Sequence, residues 1–216
     1  MQNILIFCCS AILISTLLCL VDRSNQGVSL WTKRSYCFNC YHQLKALDLI
    51  PVISALLLHG RCRYCHFKFG LRFAIYEGIG TMILYHFWGQ WFTFIICLAL
   101  LFLTIEDLYQ QQAHSNYLWP INLLLYIQKY NCVSFYLLIS ISLLSWWLIV
   151  YRKALGSGDY PILILLLLDL SYIQFAWAIL LATGLAFFFF FKIPHQPRIA
   201  FIPFLSFSWL IIKLFT

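Results

Sequence analysis

Hydrophobic residues fall into eight runs: 4–21, 73–89, 91–106, 116–129, 131–150, 160–174, 176–191 and 199–215. Only one long polar stretch, 22–72, interrupts them. A membrane span needs about 20 apolar residues, about 17 at the short end. The pattern therefore predicts an all-α, polytopic membrane protein of about eight transmembrane helices with one small loop domain. "GQ" at Gly89-Gln90 and "KYN" from Lys129 to Asn131 read as tight turns between helices. The expected division is a first helix at 1–21, a cysteine-bearing loop domain at 22–72 and a membrane core at 73–216.

Composition agrees: 63% of the 216 residues are hydrophobic and 10% are charged. That lies outside the soluble globular range. The first run has no basic residue before it and is followed by Asp22-Arg23, the reverse of a signal peptide, so it reads as a retained helix. With the N-terminus outside, the inner loops would be 22–72, 106–115, 151–159 and 192–198. These hold 12 of the 14 basic residues, all but Lys129 and Lys213. The net charge of +7 is thus an orientation signal, with basic loops on the cytoplasmic side of a cell membrane. It is not the aromatic-interleaved basic face that nucleic acid requires, and no nucleic-acid partner is expected.

The loop carries Cys37-x2-Cys40 and Cys62-x2-Cys65. Two such turns can present four thiolates to one ion in a closed tetrahedral site, which suits structural zinc. Two disulfides or a redox dithiol are the other readings, and a reducing cytosol disfavours stable disulfides. A loop of about 50 residues with little apolar periodicity builds little core, so metal binding would supply much of its folding free energy. His42, His59 and His66 are spare donors.

Of the seven acids, Glu77, Glu106, Asp107, Asp159 and Asp169 lie in or at the ends of spans. Ionisable groups at membrane depth are costly and point to function. The topology, drawn without reference to any acid, brings Asp107 and Asp159 to the same inner membrane face. Two carboxyls in reach of each other share a proton, so that one can activate water while the other polarises a carbonyl. Gly156 and Gly158 before Asp159 would allow close approach and unusual backbone angles. The alternative is that both acids cap helix ends. Asp169, ten residues on, lies on another face of the helix and is expected to be buried, protonated and hydrogen-bonded. Glu106 is the substitute if the register at Asp107 is wrong, and Glu77 would serve a cation or the helix bundle.

Four motifs carry a resemblance. "RSYCFNCYHQLKALDLIPVISALLLHGRCRYC" (Arg34–Cys65) is similar to the cytoplasmic cysteine domain of type IV prepilin peptidases. "ALGSGD" resembles that family's GxGD motif, and "IEDLYQQQAHSNYLWP" its other aspartate motif, with Asp107 and Pro120 in the matching positions. "IAFIPFLSF" (Ile199–Phe207) is similar to its last helix. The chain departs from the pattern where Ala113-His114-Ser115 stands for Ile-Pro-Asp, and where Tyr160-Pro161 follows GxGD in place of a nearby lysine.

The resemblance implies a membrane aspartyl endopeptidase with Asp107 and Asp159 catalytic. It would remove the short basic leader of prepilin-like or pseudopilin-like precursors at the cytoplasmic membrane face. Cys37, Cys40, Cys62 and Cys65 would hold zinc. Members with the cysteine domain often also N-methylate the new terminus with S-adenosylmethionine, although no glycine-rich nucleotide fingerprint is present. The chain looks closest to the competence-pseudopilin processing type. A thiol oxidoreductase, a non-enzymatic zinc-bearing scaffold of a pilus or secretion machine, and a proton-coupled transporter are the competing readings.

Overall fold

The computed structural model describes the chain except at positions 1, 30–34, 38, 69, 112, 130–131, 153–154, 193–199 and 216. Lys33, Arg34, Asn131, Lys153, Arg198 and Ile199, all used in the readings above, lie outside the described residues. Helices dominate: α1 (Gln2–Asn25), α2 (Ile53–Leu57), α3 (Arg72–His86), α4 (Trp91–Gln110), α5 (Trp119–Lys129), α6 (Cys132–Trp147), α7 (Asp159–Asp169), α8 (Tyr172–Lys192) and α9 (Ile202–Leu214). A 3-10 turn, Ser115–Leu118, leads into α5, and a π turn, Leu148–Arg152, extends α6.

Each predicted apolar run is occupied by a helix, and among the described residues four segments are long and apolar enough to cross a bilayer: Gln2–Asn25, Trp91–Tyr109, Phe135–Arg152 and Tyr172–Lys192. The other four are shorter, so the count of eight spans is not reached by length. α7, with 11 residues, rises only about 17 Å. The run 160–174 was expected to stay helical, but Leu170 is extended (φ −93°, ψ 160°) and ends α7. Ser171 and Gln174 then exchange bonds, each backbone N–H donating to the other's side chain, at 3.0 and 3.4 Å. This is a Ser-x-x-Gln capping box, and it starts α8 earlier than hydropathy alone suggests.

By internal contacts the chain forms two compact units, 1–102 and 103–216. In the first, α1 packs along α3. Ser10, Ile14, Leu17 and Val21 form its buried face at helical spacing. Gly80 lets the two helices approach closely, since a Cβ there would meet the Ile14 side chain at 2.9 Å. In the second unit α7 is central, touching α5, α6, α8, α9 and the 3-10 turn. Nine of its residues are buried, which explains a leucine run with no polar face.

Candidate functional site

The cysteine loop is built from two matching knuckles. In the first, the Cys37 N–H donates to the His42 carbonyl (3.0 Å), the Tyr41 N–H to the Cys37 carbonyl (2.7 Å), and Tyr36 bridges Gln43. In the second, Cys62 bonds Phe67 (2.9 Å), His66 bonds Cys62 (3.0 Å), and Arg61 bridges Lys68. Tyr41 and His66, the residues after each Cys-x-x-Cys, both adopt positive φ, 57° and 55°. That reversal turns both sulfurs of a knuckle to the same side.

The four sulfurs of Cys37, Cys40, Cys62 and Cys65 lie within 4.8 Å of one another. Cys37 Sγ and Cys65 Sγ are 3.8 Å apart. A tetrahedron with Zn–S bonds near 2.3 Å has sulfur–sulfur edges of roughly 3.8 Å. The donor set therefore fits a closed zinc site. The thiols already differ in acidity. The Phe67 backbone N–H, then the Asn39 amide, lower Cys65 to about 6. At Cys40 a backbone N–H from His42 acts to lower the thiol, yet desolvation and the neighbouring thiols push it up to about 11. All four are free thiols, not disulfides. Asp48 braces the pair: its carboxylate meets Arg63 of the second knuckle at 2.9 Å and the Lys45 N–H at 3.2 Å. Glu77 accepts the Val52 N–H at 2.6 Å, so it holds backbone of the loop rather than a cation.

Asp107 and Asp159 both belong to the second unit. Asp107 sits in the last turns of α4, 6% exposed, and Asp159 opens α7, 8% exposed. They lie close enough for electrostatic interaction. Asp107 receives the backbone N–H of Ile202, an orphan donor at the start of α9, while its Oδ2 is buried and makes no hydrogen bond. Asp159 Oδ2 turns back to accept the Gly156 N–H at 3.1 Å. The N-cap of α7 is Gly158, and no side chain caps the helix. Asp159 is therefore not an N-cap, the plain structural alternative.

The glycines act through space rather than unusual angles. Gly158 has an ordinary φ of −70°. A Cβ on Gly156 would stand 3.1 Å from Asp159 Oδ2, and one on Gly158 would stand 3.3 Å from the Ala113 carbonyl oxygen and 3.6 Å from Ser115 Oγ.

Other residues emerge that the sequence did not assign. Glu106, 1% exposed, accepts the His114 backbone N–H (3.0 Å) and faces its ring Nδ1 (2.9 Å), so it is committed to the 113–118 turn and not a substitute for Asp107. Tyr160, which follows the GxGD run, bonds Ser142 on α6 (3.1 Å) and packs on Trp119. Asn122 on α5 donates to the Pro161 carbonyl at 2.9 Å. Pro161 itself is tolerated because the third N–H of a helix has no intrahelical acceptor. Asp169 is buried and hydrogen-bonded, as expected, and in addition meets the Lys213 ammonium at 3.0 Å. No sequence signal gives these cross-helix partners.

Helices of spanning length, a four-thiol loop and two buried aspartates, one near the end of α4 and one at the start of α7, characterise a helical membrane protein. Residues 8–91 match the family described as Bacterial Peptidase A24 N-terminal domain. A prepilin leader peptidase/N-methyltransferase of Legionella pneumophila is 26% identical over 154 residues, 62% of this chain and 54% of that protein. One from Burkholderia pseudomallei (strain 1026b) is 37% identical over 59 residues, 27% and 19% of the two chains. A type 4 prepilin-like proteins leader peptide-processing enzyme of Escherichia coli O78:H11 is 40% identical over 50 residues, 23% and 19%. Over these stretches the chain is similar to the type IV prepilin peptidases, and the family match supports that kinship for residues 8–91. It spans about half the length, or less, of these curated relatives. No solved structure matches it.

Proposed function

We propose that this chain is a membrane aspartyl endopeptidase that removes the leader of prepilin or pseudopilin-like precursors at the cytoplasmic face. The observation that carries the reading is the burial of Asp107 and Asp159 within electrostatic reach of each other. In this reading residues 73–216 form the peptidase core. One carboxylate takes a proton from water, whose oxygen attacks the scissile carbonyl carbon. The protonated partner donates a hydrogen bond to the carbonyl oxygen. Collapse breaks the C–N bond, and the leaving amine takes up a proton. The burial of Asp107 Oδ2 without a hydrogen-bond partner supports a role for it in sharing that proton.

Residues 22–72 would be the zinc domain, with Cys37, Cys40, Cys62 and Cys65 as ligands. Zinc supplies folding free energy to the loop and takes no part in cleavage. The basic loops support a cytoplasmic placement of both sites. The names of the relatives support a second activity, N-methylation of the new terminus with S-adenosylmethionine.

The test is co-expression with a precursor bearing a short basic leader and a glycine before its hydrophobic helix. Wild type, Asp107→Asn and Asp159→Asn are compared by precursor mass. Loss of cleavage in both inserted variants is the expected result, and a further methyl mass on the product marks the second activity. Cleavage surviving in both variants overturns the aspartate assignment. A wild type that never cuts favours a non-enzymatic scaffold.

A further inference from the structure

Asp107 and Asp159 come from separate helices, so something must set their spacing. Ile202 at the start of α9 reaches Asp107, but a second, shorter route links the two acids directly. Glu106, the chain neighbour of Asp107, buries its carboxylate between two donors of His114: the backbone N–H on Oε2 at 3.0 Å and ring Nδ1 on Oε1 at 2.9 Å. Burying a carboxylate is costly unless it is hydrogen-bonded, and here both oxygens are used. The same turn places the Ala113 carbonyl and Ser115 Oγ against Gly158, and Ser115 is buried there. Gly158 is the residue before Asp159. The path from Asp107 to Asp159 thus has two links, Glu106–His114 and the 113–115 segment on Gly158.

We infer that Glu106 and His114 are positioning residues for the aspartate pair, fixing the 113–115 segment against Gly158 and so setting the separation of Asp107 and Asp159. The inference rests on the peptidase reading for its activity readout, though not for its geometry. His114 does not enter the chemistry. Its Nδ1 is turned to Glu106, and its side chain is 63% exposed. A displacement of about 1 Å at a reacting group can cost 10²-fold in rate. Loosening the turn therefore acts on turnover, while the leader-binding surface stays as it was.

The experiment uses the full chain in lipid nanodiscs with Glu106→Ala, Glu106→Gln and His114→Ala. Expected for Glu106→Ala and His114→Ala is a fall in kcat of roughly 10- to 100-fold, with KM within about twofold. Glu106→Gln keeps both bonds through the other histidine tautomer, its amide oxygen accepting the N–H and its NH2 donating to Nδ1. It should retain most of the activity. A second readout is the infrared carboxyl titration, referenced to Asp107→Asn and Asp159→Asn. The wild-type pair should titrate in two split steps, and the split should narrow in Glu106→Ala.

The inference falls if folded His114→Ala turns over like wild type with an unchanged titration. It also falls if Glu106→Gln is as damaged as Glu106→Ala, because charge rather than placement would then be the cause. Loss of cleavage in both aspartate variants with intact His114→Ala leaves the peptidase reading standing and removes only this inference. Where the wild type cuts no precursor, the peptidase reading fails and the titration alone decides.

Discussion

The Lys213 ammonium lies 3.0 Å from Asp169 Oδ2, and the same oxygen accepts the indole N–H of Trp209 at 2.8 Å. Lys129 Nζ reaches the Asp169 backbone carbonyl at 2.8 Å. The two basic residues that escape the inner-loop count thus converge on one acid, at the end of α7 remote from Asp159. Both therefore have a partner within the helix bundle of the second unit.

Asp169→Asn takes the charged partner from the half-buried Lys213 ammonium, a loss of about 1–2 kcal/mol. Thermal unfolding in detergent should fall accordingly, while precursor cleavage at low temperature persists. Lys213→Met in the same chain should recover part of the loss. A fall in cleavage as deep as that of Asp159→Asn, without loss of stability, would move Asp169 into the active site.

Alanine at the two motif glycines should act differently from alanine elsewhere. At Gly156 the new methyl stands 3.1 Å from Asp159 Oδ2 and pushes the carboxylate off the Gly156 N–H. Cleavage should drop roughly 100-fold with little change in melting temperature. At Gly158 the methyl presses on the Ala113 carbonyl at 3.3 Å, and the drop should be smaller, about tenfold. Initial rates on a precursor peptide, alongside a melting curve, separate these outcomes from misfolding.

Metal analysis of purified protein should give about one zinc per chain, lost on Cys37→Ser or Cys62→Ser. Without zinc, the loop should become sensitive to limited proteolysis while the membrane helices stay inserted. Acid should have the same effect. Cys65 is depressed, so its contribution is complete above its ordinary value near 9.0 and is lost as pH falls through about 6. Zinc retained at pH 4, with the loop still protected, would overturn this account.

The elements were legible because hydropathy marks where helices lie, and the two aspartates were legible because they break apolar runs at the same predicted depth. Partners across helices were not. α7 is apolar all round, so its sequence carries no face and no direction for Asn122, Tyr160 or Asp169 to point. The α7–α8 boundary was readable in principle from Ser171-x-x-Gln174, a signal that the continuous hydropathy overrode. Likewise the Ile202 N–H on Asp107 depends on where α9 starts in space, which no spacing along the chain encodes.

Val52 is a β-branched residue at φ 61°, a strained conformation worth on the order of 1–3 kcal/mol. The Glu77 carboxylate on α3 holds it by accepting its N–H at 2.6 Å. The strain and the bond belong together: the left-handed turn starts α2 and aims the N–H at α3. Val52→Gly should therefore raise the stability of the loop by about 1 kcal/mol, because glycine adopts this angle freely. Glu77→Ala should instead lower it by about 1–2 kcal/mol, leaving a donor without its acceptor. In the double variant the two effects should not add, since glycine no longer needs the carboxylate to stay in place. Amide hydrogen exchange at residue 52, read in detergent for all four proteins, decides it. Equal exchange in wild type and Glu77→Ala would show that the bond does not hold the turn.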